Sequence, residues 1–166
     1  MENFKHYREI IGFDPDSDKS GVAVINVLSG EISVRTLPFP DIVEFLYEKA
    51  QERASMVVTE ASWLRKKLNW HTGRTSSFVS YSVGRNHQTG ILIGQMARFY
   101  GLDLVETEPL KKYWAGKDGK ITHPELIGHL RNYGLTLMAR QTNQETRDAV
   151  LIALSQWDFR NTRLKP

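Results

Sequence analysis

Cysteine is absent from the sequence. Disulfides, zinc–thiolate sites, iron–sulfur clusters and cysteine nucleophiles are therefore excluded. The absence suits a reducing cytoplasm. Long apolar runs are missing too, since nothing approaches the roughly 20 residues needed to span a bilayer. The polar, mixed-charge start Met1-Glu-Asn-Phe-Lys-His-Tyr-Arg-Glu9 lacks a signal-peptide pattern. The expectation is a soluble, cytoplasmic protein with no membrane partner. A large excess of one charge is also lacking: 22 basic residues against 19 acidic ones leave a net +3. That balance permits a nucleic-acid partner without requiring one. There is no phosphate-cradling glycine motif and no serine nucleophile elbow. The five histidines are scattered without zinc spacing. No small-molecule cofactor is indicated.

What is present is ordinary globular composition, with 40% hydrophobic and 25% charged residues. The 166 residues suit one domain, 1–166, with a basic tail from about 158 to 166. Ile10–Asp14 reads as a buried strand stopped by Pro15. After the Asp/Ser/Gly turn of 16–21 come strands at Val22–Leu28 and Glu31–Leu37, giving an antiparallel three-strand meander. Asp41 can cap a helix carrying Ile42, Val43, Phe45, Leu46 and Ala50. Met56–Glu60 follows as a fourth strand, and the crossover helix between strands implies a parallel pair. Residues 61–85 show no clear period. Thr89–Tyr100 reads as a helix with Gly101 as its C-cap, and Leu102–Thr107 as a fifth strand. Leu110–Lys120 is a basic, aromatic loop. Thr122-His-Pro-Glu125 is a capping box whose helix runs to about Tyr133 and ends at Gly134. Thr142-Asn-Gln-Glu145 reads as a second capping box, opening a final helix with apolar Ala149, Val150, Ile152, Ala153 and Leu154.

Four acids fall where metal chemistry wants them. Asp14 and Glu60 each end a strand, and they emerge side by side if those strands are neighbours. Glu145 and Asp148 lie three residues apart on one helical face. Oxygen ligands of this kind select hard cations, Mg²⁺ with Mn²⁺ able to substitute. Two such ions about 3.5–4 Å apart can activate water and stabilise the leaving oxygen of a phosphodiester. Each acid has a structural explanation when taken alone: a capping box for Glu145, the helix dipole for Asp148, a turn before proline for Asp14, the surface for Glu60. It is the set of four that points to a site. Asp16 and Asp18 read as Asx-turn residues.

At these residues the chain resembles the RuvC-type Holliday junction resolvases, bacterial and phage, of the RNase H-like superfamily. Ile11-Gly-Phe-Asp-Pro15 with Ser20-Gly-Val-Ala-Val-Ile25 is similar to their opening, and Val57-Val-Thr-Glu60 to their second acidic strand. Ile93-Gly-Gln-Met-Ala97 is similar to their central helix, and Glu145-Thr-Arg-Asp148-Ala-Val-Leu-Ile-Ala-Leu154 to their last. The match runs in order over about residues 9–157. It implies an α/β RNase H-like fold with a mixed five-stranded sheet and flanking helices. It also implies a homodimer that uses Mg²⁺ to resolve four-way DNA junctions by paired symmetric nicks. Asp14, Glu60, Glu145 and Asp148 would be the metal ligands and catalytic acids. Trp63 would correspond to an aromatic wedge at the junction centre, and Lys111 and Lys120 to lysines on scissile-strand phosphates. Asp16 replaces the family's usual glycine, Glu145 an aspartate, and Arg147 sits between the two helix acids, able to pair with one.

Cations mixed with aromatics also suit DNA, because phosphates need charge and unstacked bases need ring faces. Trp63, Arg65, Lys66, Lys67, Lys111, Lys112, Lys117 and Lys120 are the candidate contacts. Phe78 and Tyr81 are expected instead in the core or a dimer interface, and the 89–100 helix, with Gly94 permitting close approach, is the candidate interface. The alternatives are an RNase H-like nuclease acting on RNA or other branched DNA, and a non-catalytic nucleic-acid-binding module.

Overall fold

The structure is a computed structural model that describes residues 7–64 and 77–157. The basic tail and Arg65, Lys66 and Lys67 lie outside these residues. Strands β1 (Glu9–Asp14), β2 (Ser20–Asn26) and β3 (Glu31–Leu37) form the antiparallel meander. Helix α1 (Phe39–Glu52) crosses over to β4 (Ser55–Glu60), which pairs parallel with β1. Helix α2 (Ser77–Phe99) leads to β5 (Asp103–Thr107), parallel to β4. Helix α3 (His123–Arg131), the two-residue strand β6 (Thr136–Leu137) and α4 (Gln144–Leu154) complete the chain.

The sheet has six strands in the order β5-β4-β1-β2-β3-β6, one more than the five expected. The extra strand is β6. It is too short to show a period, and it exists because the Thr136 and Met138 amides donate to the Gly30 and Ile32 carbonyls, covering the free edge of β3.

Both sheet faces are buried, and the period of two divides the strand residues between them. Ile11, Phe13, Val22, Val24 and Val57 pack against Ile42, Phe45 and Leu46 of α1 and Ile93 and Ala97 of α2. Ile10, Ala23, Ile25, Met56 and Val58 pack against Leu126 and Leu130 of α3 and the apolar face of α4. Fully burying one Ile or Phe side chain stabilises by about 1.5–3 kcal/mol, so this two-sided core carries the fold.

Helix α4 lies unusually close to the sheet because β1 and β2 offer glycines beneath it. A Cβ on Gly12 would fall 2.2 Å from the Ala149 carbonyl oxygen, and one on Gly21 would fall 2.0 Å from that of Glu145. No side chain fits at either place.

Three helix expectations are corrected. Helix α2 begins at Ser77 rather than Thr89. Among the described residues of its first half, Phe78 is 75% exposed and Tyr81 63% exposed, so neither is a core residue. Helix α1 begins at Phe39 after Pro38, and Asp41 lies in its first turn rather than capping it. Helix α4 is capped by Asn143, whose side chain accepts from the Thr146 amide, so Thr142–Glu145 is not a capping box. The capping box at Thr122 and Glu125 and the turn at Gly101 form as expected.

Candidate active site

The strand period that builds the core also aims the acids. Alternation along β1 puts Gly12, and hence Asp14, on the face covered by α4. Alternation along β4 puts Val58, and hence Glu60, on the same face. The two strands are in parallel register through Phe13 and Thr59, so Asp14 and Glu60 emerge side by side at their C-terminal ends. The first turn of α4 crosses this edge and brings Glu145 and Asp148.

All four acids line one cleft of about 710 Å³, together with Asp16, Asn86, Lys111, Lys112, Trp114 and Lys120. Burial above all, then the charges of Asp148 and Glu60, holds the Asp14 carboxyl well above the usual carboxylate range, with Lys120 opposing the rise. Burial likewise raises Asp148, against Lys120 and a hydrogen bond from Gln144. Lys120 Nζ lies 3.4 Å from Asp148, and Gln144 Nε2 donates to Asp148 at 2.7 Å. The Leu110 amide donates to Glu60 at 3.4 Å. As the side chains stand, no three Asp, Glu or His residues among the described residues are grouped closely enough to hold a metal ion. The donor set is nevertheless four hard carboxylates whose mutual repulsion a cation would relieve.

Asp16 lines the same cleft with its carboxylate already engaged. Its side chain accepts from the Asp18 amide at 2.8 Å, the expected Asx turn, and from Asn86 Nδ2 at 3.1 Å. Arg147 pairs with neither helix acid. It donates to the carbonyls of Ile121 and Thr142 at 2.8 Å each and to Gln144 Oε1 at 3.0 Å. The same glutamine amide therefore links Arg147 to Asp148. Neither Gln144 nor Asn86 was singled out in the sequence. The four-residue spacing of Gln144 to Asp148 was the available signal for the first; Asn86 had none, because its partner is 70 residues away.

The candidate DNA contacts divide. Lys111, Lys112 and Lys120 line the cleft, and Lys117 does not. Trp63, in the short turn Ser62–Leu64, is half-buried. Its ring lies over Gly90 of α2 and meets His87 edge-on at 6.3 Å between centroids. In the 89–100 helix, Gly94 faces Leu104 of β5 and Ile93 and Ala97 are buried, so this stretch packs within the chain.

No protein-family model matches the chain, and no curated protein matches it in sequence. Solved structures do. Thermus thermophilus RuvC in complex with a Holliday junction substrate superposes with a TM-score of 0.58, covering 95% of this chain and 97% of that one at 17% identity. The chain has the RuvC fold. A second Thermus thermophilus RuvC structure matches at a TM-score of 0.47, 17% identity and 93% and 96% coverage. The large terminase nuclease of the thermophilic phage G20c matches at 0.32, 16% identity and 92% and 86% coverage. Of these, the first overlaps closely enough to bear on the fold, which is RNase H-like.

Proposed function

We propose that this chain is a metal-dependent, structure-selective endodeoxyribonuclease that resolves four-way DNA junctions by paired symmetric nicks. The observation that carries the reading is the arrival of Asp14, Glu60, Glu145 and Asp148, from three separate elements, in one cleft flanked by Lys111, Lys112 and Lys120. A structural role would not place Asp14 and Asp148 where burial raises the cost of their charge, with Glu60 and Glu145 lining the same cleft. The RuvC fold supports the reading, and the Thermus protein sharing it is in complex with a Holliday junction substrate.

The four carboxylates would hold Mg²⁺ or Mn²⁺, which when bound supplies an activated water and neutralises charge on the leaving oxygen. The lysines hold the phosphates of the strand. Lys120, now beside Asp148, is placed to exchange that carboxylate for a phosphate oxygen once a cation compensates the acid. Paired nicks require two such clefts in a symmetric dimer. The first half of α2, with Phe78, Val79, Tyr81 and Val83 exposed, is the surface we assign to that contact, in place of the 89–100 stretch. Trp63, beside the cleft, is assigned to the junction branch point, and the cytoplasm is the expected compartment.

The test is nicking of a labelled four-way junction beside matched linear duplex and an RNA–DNA hybrid, with Mg²⁺ and with chelator, for wild type and Asp14→Asn. Paired symmetric nicks on the junction, lost with chelator and in the variant, are expected. Cutting of the hybrid alone would move the activity to RNA. Tight junction binding without cutting in Mg²⁺ or Mn²⁺ would leave a binding module.

A further inference from the structure

A hollow of about 240 Å³ opens beside the acidic cleft, between the loop after β5, the end of α3 and the outer side of α4. It shares Leu110, Lys111, Trp114 and Leu151 with the cleft, so the two spaces adjoin along a common wall. Its walls are aromatic. Tyr113 stacks on Trp114 with centroids 4.7 Å apart and planes 30° from parallel. Trp114 meets His129 edge-on at 5.2 Å, and His129 meets Tyr133 in the same way at 5.2 Å. Trp114 and Tyr133 pack against the core, so the ring array is anchored at its base. Tyr113, 68% exposed, is held by that anchor with an open face.

Among the rings of the described residues, Tyr113 packs on Trp114 alone and is otherwise largely open to water in a basic loop, which leaves room for a second flat ring. Beside a cation such a surface suits a ligand with a π-face attached to a negative charge. A nucleotide has both, and base–aromatic stacking tolerates any base because every base has such a face. We propose that this hollow is a nucleobase subsite, which takes one unstacked base of the strand whose phosphates run past Lys111 into the acidic cleft. The proposal rests on the nuclease reading for the presence of that strand, but the stacking itself needs no chemistry. The subsite holds the strand at one register relative to the acids, and so makes Tyr113 and Trp114 positioning residues for the cut.

The experiment is a scan of the junction with 2-aminopurine, placed singly at each nucleotide around the scissile phosphate and read in chelator, so that binding is seen without cutting. One position is expected to lose fluorescence on binding to wild type and to keep it with Tyr113→Ala, whose exposed ring makes the fold indifferent to its loss. An abasic residue at that position is expected to weaken wild-type binding about tenfold and Tyr113→Ala binding less than twofold. Trp114→Phe, which keeps a ring at the anchor, is expected to retain the response. If no position distinguishes wild type from Tyr113→Ala, the subsite is overturned, even where Mg²⁺-dependent nicking is normal. A position-specific response with no cutting in Mg²⁺ keeps the subsite and removes the nuclease. Absence of any DNA binding removes both.

Discussion

Gly21 and Glu145 are in backbone contact: a Cβ on Gly21 would lie 2.0 Å from the Glu145 carbonyl oxygen. Gly21 is also the register partner of Asp14 across β1 and β2. One position without a side chain therefore seats the helix that carries two acids directly beside the strand that carries another. Gly21→Ala should lift the first turn of α4 away from the sheet. Forcing atoms into a packed interior costs typically about 1–3 kcal/mol, and here the obstacle is backbone that cannot rotate aside. The expected result is a lower melting temperature together with loss of metal-dependent nicking. Wild-type values for both would show that this contact does not set the position of the acids.

The charge of the site gives the metal-free protein a predictable pH dependence. Asp14 is held above its ordinary value of 3.8, so the folded state keeps the proton more tightly than the unfolded state does. As pH rises past 3.8 the unfolded chain ionises first, and stability falls until the raised folded value is passed. Asp148 shifts in the same direction and adds to the fall. In chelator, Asp14→Asn should therefore melt higher than wild type at neutral pH, by a few degrees if about 1 kcal/mol is recovered. The gap should close on acidification and narrow when Mg²⁺ is added, because a ligand of the native state stabilises it. Melting curves across pH, with and without Mg²⁺, measure all three.

Arg147 fastens α4 to the chain segment before α3. Removing its guanidinium leaves the Ile121 and Thr142 carbonyls without this donor and frees the Gln144 amide that faces Asp148. Arg147→Ala should cost about 1–3 kcal/mol in urea unfolding. Arg147→Lys should recover little, because an ammonium cannot reach three directions in one plane. A positioning role predicts a fall in nicking rate with an unchanged salt dependence of DNA binding.

The lysines should behave in the opposite way. Lys111→Ala and Lys112→Ala are each expected to reduce the slope of log affinity against log salt by about one, with weaker binding to all DNA forms alike. Lys117→Ala, whose residue does not line the cleft, should leave the slope nearly unchanged. Equal effects from all three would mean that the cleft does not select the path of the strand.

Much of this architecture was legible in the sequence because it rests on local periodicity. The short apolar runs Ile10–Phe13, Val22–Ile25 and Met56–Val58 marked buried strands, and Asp14 and Glu60 at the ends of the first and last of them marked the candidate site. The three-residue spacing of Glu145 and Asp148 put two more acids on one helical face. Where the local signal failed, the deciding contacts are made by residues far apart in the chain. Phe78 and Tyr81 of early α2 are exposed rather than part of the core, and the helix there showed no period in the sequence. The two-residue β6 forms on the hydrogen-bonding edge that β3 leaves open. Asn143 rather than Thr142 caps α4, while Thr142 Oγ1 shares a hydrogen bond of 2.8 Å with His123 Nδ1. The amino-acid sequence by itself determined the five longer strands, the helices apart from the first half of α2, and which residue types could do acid, cation and ring chemistry, because propensity and period act over a few residues. Only the tertiary structure decided that four acids share one cleft with Lys120, that Arg147 holds Gln144 rather than an acid, and that Tyr113 and Trp114 wall a second hollow. Those relationships depend on how closely α4 can approach Gly12 and Gly21, which is a property of packed backbone rather than of any single stretch of sequence.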